Sequence, residues 1–128
     1  MKRTDQSRNP TPSFDFAKLR ARWAAQAASV DALSARLLAE VTDKAAPVLR
    51  RFGAERALLF GSIIEGRAGP RSDIDLLVLG TDPVAYWDLR RELEAVLRRS
   101  LDLFTEADDP VLVARIQARG QTIYERTP

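Results

Sequence analysis

Residues 58–80 read LLFGSIIEGRAGPRSDIDLLVLG, and this stretch decides the fold. Arg56–Phe60 is a short apolar run stopped by Gly61, which reads as a first strand. Ser62–Glu65 reads as one helical turn ended by Gly66, and Arg67–Ser72, with Gly69 and Pro70, as a loop. Asp73–Leu79 is a second strand closed by Gly80. Alternation along a strand puts Asp73 and Asp75 on one face and Ile74, Leu76 and Val78 on the other, the second set being candidate core.

Outward from there the pattern is that of a small α/β domain with a helical N-terminal extension. Asp82-Pro83 caps a helix running to about Arg99, with Leu89, Leu93, Val96 and Leu97 on its buried side. Leu101–Thr105 is a third strand carrying Asp102. Asp109-Pro110 opens a further helix that ends at Gly120, and Ile123-Tyr124 reads as a last extended segment. Upstream, residues 1–13 form a polar tail with no secretory character. Residues 14–51 are helical, with Trp23, Val30 and Leu37 at seven-residue spacing: one amphipathic helix, or two broken near Ser29–Asp31. Pro47 is expected to start or kink its last turn. Trp23 reads as packing, Tyr86-Trp87 as core or partner contact, and the N-terminal helix as a surface for dimerisation or docking. Residues 52–128 then make up the α/β domain proper.

With no Cys and no His among 128 residues, thiolate catalysis, disulfides, imidazole bases and thiolate or imidazole zinc sites are excluded. Acid–base or metal chemistry must run on carboxylates, Lys, Tyr or hydroxyls, and an oxygen-only metal site points to Mg²⁺, Mn²⁺ or Ca²⁺. The first 60 residues hold 11 Lys and Arg against 6 Asp and Glu, so the basic half is no polycation. No basic-plus-aromatic surface suited to single-stranded nucleic acid is evident. No apolar run reaches membrane-spanning length, and a cytoplasmic location is expected.

Gly61-Ser62, at the end of a strand and the start of a turn, can aim backbone N–H groups at an anion; the plain alternative is a strand-ending Gly followed by an N-cap Ser. Gly61 and Gly66 have the spacing of a P-loop, but Arg67-Ala68 replaces the required Lys and hydroxyl residue, so that motif is rejected. Asp73 and Asp75 repel each other unless a cation lies between them or they pair with Arg67 or Arg71. If the third strand lies beside the second, Asp102 joins them, and three carboxylates plus an anion-binding turn suit two-metal phosphoryl or nucleotidyl transfer.

Gly61-Ser62, ten intervening residues, Asp73-Ile74-Asp75 and a later strand with Asp102 resemble the nucleotidyltransferase signature of the DNA polymerase beta superfamily. In size the chain is similar to the minimal nucleotidyltransferases (MNT), many of them antitoxins to HEPN-domain ribonuclease toxins. The resemblance implies that Gly61 and Ser62 hold the nucleotide's phosphates; Arg67 and Arg71 of the following loop are candidates to compensate for the family arginines absent after Gly-Ser, and Ser72 is a further candidate at the nucleotide. It implies that Asp73 and Asp75 bind two Mg²⁺ ions and that Asp102 completes the metal site and helps deprotonate the acceptor. The implied reaction is attack on the α-phosphate of ATP, with AMP passing to a Tyr of a HEPN toxin. Family members carry Arg just after Gly-Ser, whereas this chain has Ile63, Ile64 and Glu65. That departure keeps open a module that neutralises its partner by binding alone. An aminoglycoside-type transferase would need a second domain or a dimer.

Overall fold

The computed structural model describes residues 16–127, with side chains described from residue 32. The polar tail and the Trp23–Val30 part of the helical stripe lie outside the described side chains. Seven main elements follow in order: α1 (Phe16–Arg51), β1 (Arg56–Phe60), β2 (Ile74–Leu79), α2 (Tyr86–Leu97), β3 (Leu101–Phe104), α3 (Pro110–Arg119) and β4 (Gln121–Glu125).

The strands form one mixed sheet of order β3-β2-β1-β4. β1 pairs antiparallel with both β2 and β4, whereas β2 and β3 run parallel. Parallel neighbours need a crossover, and α2 supplies it. Both helices after the second strand begin as their Asp-Pro pairs direct. Asp82 accepts from the Val84 N–H at 3.0 Å and Asp109 from the Val111 N–H at 3.0 Å. The first turn after Asp82 is tighter than expected, a 3₁₀ turn at Pro83–Ala85 that precedes α2.

One face of the sheet holds the main core. Ile74, Leu76 and Val78 are fully buried there, against Leu89, Leu93 and Leu97 of α2 and Val41, Ala45, Val48 and Leu49 of α1. The opposite face carries a smaller cluster in which Leu58 and Leu77 pack against Ile116 of α3.

Of the two readings of α1 the single helix holds, running through Ser29–Asp31 with Pro47 inside it. The residues on either side of Pro47 are held by burial of Ala45, Val48 and Leu49, which offsets the missing N–H. Three sequence expectations are corrected. β2 begins at Ile74 and leaves Asp73 just outside the strand. Val96 faces outward at 36% exposure, because the α2 stripe that meets the core is Leu89, Leu93 and Leu97. Residues 61–66 form consecutive turns and no helix. The second half of α1 also belongs to the same core as the sheet, through Leu37 to Leu49.

Candidate active site

β2 enters the sheet at Ile74, with Asp75 opposite Phe60 of β1 on one side and Asp102 of β3 on the other. Parallel registration of Asp75 with Asp102 places the two carboxylates on one face, as the sequence led us to expect. That face is the one α3 covers only in part. Asp75 is half-buried and Asp102 exposed. Further along the same face, Phe60 and Phe104 meet edge to face with ring centroids 5.5 Å apart.

Burial, then the charge of Asp102 and a hydrogen bond shared with it, push the Asp75 carboxyl up to about 6; Asp73 and Glu65 add smaller repulsions. Among the described residues, none of the groups that shift the Asp75 carboxyl is basic. An oxygen-only set with surplus negative charge fits a hard divalent cation such as Mg²⁺. Asp73 stands exposed just ahead of the strand and is not drawn into a closed cluster. Among the described residues no group of three or more acidic side chains converges as a ready metal cage.

Gly61 is required twice over. Its φ is +82°, and a Cβ built there would overlap the Asp75 Oδ2. Only the absence of a side chain lets the backbone of the turn approach the carboxylate this closely. Beyond it, the Glu65 N–H donates to the Gly61 carbonyl at 3.0 Å and the Arg67 N–H to the Ser62 carbonyl at 2.8 Å, so the turn curls like the start of a helix. Ile63 is 3% exposed and anchors this turn in the main core. An arginine could not replace it without burying a charge.

The remaining candidates divide. Arg67 pairs with Glu65, so the acidic side chain at the mouth of the turn is countered from two residues away. The Ser72 hydroxyl accepts from the Gly69 N–H at 2.7 Å and shapes the loop. Arg71 lines a cleft of about 470 Å³ together with Asp73, Arg98 and Arg99. Sequence reasoning missed two residues that hold the loop. The Arg99 guanidinium donates to the Pro70 carbonyl at 2.9 Å, and the buried Ser34 of α1 accepts from the Ala68 N–H at 3.3 Å. No local signal in the sequence marks Arg99 at the end of its helix, or Ser34, for this role. Tyr86 settles as a partly buried residue whose hydroxyl donates to the Leu103 carbonyl at 2.8 Å, whereas Trp87 is 66% exposed.

Comparison with known proteins agrees with this fold. Residues 44–128 match the family described as Polymerase beta, Nucleotidyltransferase. The chain is 37% identical over 81 residues to a Methanocaldococcus jannaschii protein named "putative protein adenylyltransferase", covering 60% of this chain and 87% of that protein. A chain of a toxin–antitoxin crystal structure with AMP-PNP superposes with a TM-score of 0.58 and 27% identity, over 67% of this chain and 74% of that one. A chain of the MntA-HepT toxin–antitoxin crystal structure gives 0.53 and 25%, over 67% and 71%. The chain belongs to the polymerase beta nucleotidyltransferase family.

Proposed function

We propose that this nucleotidyltransferase is an antitoxin that moves AMP from ATP onto a hydroxyl, a Tyr side chain, of a HEPN-type toxin and so silences it. The observation that carries the reading is the close approach of Gly61 to Asp75, with Asp102 in register beside it. A phosphate-holding turn and a carboxylate pair then meet at one point of the sheet. Likeness to a named protein adenylyltransferase and to chains of toxin–antitoxin crystal structures, one with AMP-PNP, supports the substrate and the partner.

In this reading the backbone N–H groups at Gly61-Ser62 and the Ser62 hydroxyl hold the triphosphate. Asp73, Asp75 and Asp102 would hold the Mg²⁺, which supplies charge neutralisation at the transferring phosphoryl group. The acceptor oxygen attacks the α-phosphorus, the bond to the bridging oxygen breaks, and pyrophosphate leaves. Asp102, exposed on the open side, takes the hydroxyl proton. Residues 52–128 with the second half of α1 form the catalytic unit, and the first half of α1 is left for docking. Incubation with labelled ATP, Mg²⁺ and the co-expressed partner tests this. Label should pass to the partner with wild type and not with Asp73→Asn/Asp75→Asn; equal labelling by the double variant would overturn it.

A binding-only antitoxin is the second reading, favoured by Glu65 at the mouth of the turn. It expects full neutralisation by the same double variant, and loss of neutralisation there removes it.

A further inference from the structure

β2 and β3 run parallel, and the two ends of the pair differ. Asp75 and Asp102 stand where the strands begin. At the opposite end the chain leaves β2 for α2 on one face of the sheet and leaves β3 for α3 on the other. Parallel neighbours whose connections part to opposite faces leave a crevice between them, the usual place for binding in an open α/β sheet.

A crevice of about 360 Å³ lies there, between residues 81–86 and 105–108, and no residue of α1 lines it. Beside it the surface is apolar: Val84 is 89% exposed, and Trp87 is exposed next to the lining Tyr86. The Trp87 ring meets that of Tyr86 edge to face, centroids 5.0 Å apart, and Tyr86 is itself held by its hydroxyl bond to the Leu103 carbonyl. An exposed indole fixed in this way is the kind of rigid apolar surface that anchors protein interfaces.

Charge limits what can fill the crevice. Asp82, Glu106 and Asp108 line it, and no Lys or Arg does. Each carboxylate accepts from one backbone N–H: Asp82 from Val84 at 3.0 Å, Glu106 from Gly80 at 2.8 Å and Asp108 from Thr105 at 2.9 Å. Among the described residues none of the three has a salt-bridge partner. Arg90 lies over the Trp87 ring, is shared with Glu94 of its own helix and does not line the crevice.

We propose that this crevice docks a segment of the partner protein in which an apolar side chain is flanked by Lys or Arg. The apolar side chain packs on Val84 and Trp87, and the cations pair with the carboxylates. A nucleic acid would bring phosphates against three negative groups. The inference rests on the antitoxin reading only for the existence of a partner, and an antitoxin that transfers AMP or one that only binds would use the crevice alike.

The test measures, by fluorescence anisotropy on the full chain, labelled Lys-Lys-Phe-Leu-Lys-Lys against Glu-Glu-Phe-Leu-Glu-Glu and Lys-Lys-Ser-Ser-Lys-Lys. The first should bind about tenfold more tightly than either of the others. Asp82→Asn/Glu106→Gln removes two charges yet keeps an oxygen for each backbone N–H, and should cut the preference over the acidic peptide to about twofold. Trp87→Ser should erase the preference over the serine peptide. Both variants should match wild type in circular dichroism and in the magnesium-ATP thermal shift, because they lie at the far end of β2 from Asp75. Equal binding of the three peptides overturns the proposal, as does a preference that neither variant changes. Self-association of wild type that Trp87→Ser abolishes, read by sedimentation, would overturn it by assigning the crevice to a second copy of this chain. Absence of a magnesium-ATP shift in wild type would count against the transferase reading while the peptide comparison still decides the crevice.

Discussion

The two faces of the sheet differ in how they are covered, and the difference places the chemistry. On the α1–α2 face, Ile74, Leu76 and Val78 are each 0% exposed, and two helices seal the strand along its length. On the other face, the ten-residue α3 reaches Leu58 and Leu77 but leaves the strand entrance open at Asp75 and Asp102. Adjacent residues of one strand therefore meet opposite environments: Leu76 in a dry core, Asp75 on a half-open shelf. A shelf of this kind partly desolvates a carboxylate while keeping it in reach of a cation and a substrate.

The largest test of that contrast is Asp75→Asn, which should reduce nucleotidyl transfer about 1,000-fold or more, equivalent to about 4 kcal/mol of barrier, with the fold intact by circular dichroism. Retained transfer would mean the shelf is not the site. Leu76→Ala, one residue away and on the sealed face, should do the converse. It should cost about 3 kcal/mol in denaturant unfolding, with residual folded protein still binding magnesium-ATP. Gly61→Ala should come next: left-handed backbone strain and overlap with Asp75 predict about 2 kcal/mol of lost stability or nucleotide binding, read as a smaller ligand-induced thermal shift.

The smallest effect concerns Asp75 without cation. Its folded-state pKa of about 6 lies above the ordinary value of 3.8, so ionisation penalises the folded state. That penalty is absent well below pH 3.8, where the group is protonated folded or unfolded, grows between pH 3.8 and about 6, and is constant above that. In EDTA at pH 7.5, Asp75→Asn should therefore be more stable than wild type, by about 1 kcal/mol once solvent screening of a half-exposed group is allowed for. The advantage should vanish near pH 3.5. A variant equally or less stable than wild type at pH 7.5 would mean that the Asp102 contact stabilises Asp75 instead of straining it.

Much of the fold was legible because short-range patterns and core demands agree. Alternation from Asp73 to Leu79 set the faces of β2, Asp-Pro pairs set the starts of the helices, and Gly61 marked the end of β1. The departure at Ile63 was misread as a feature of the nucleotide site alone. Side-chain burial shows that Ile63 answers to the core, which a residue type cannot reveal by itself. Continuity of α1 across Pro47 was equally hidden, since local propensity argues against it and only distant contacts override it.

Sequence alone determined the oxygen-only chemistry, through the absence of Cys and His, and the placement of Asp75 on the face opposite Ile74, Leu76 and Val78, through the two-residue period of a strand. Tertiary structure decided which carboxylates meet. Asp102 lies 27 positions beyond Asp75, and only the parallel crossover through α2 brings them into register. It also decided that Arg71, Arg98 and Arg99 share one cleft and that Glu65 is countered by Arg67. These are properties of through-space distance, which strand order and helix packing set and which spacing along a chain does not encode.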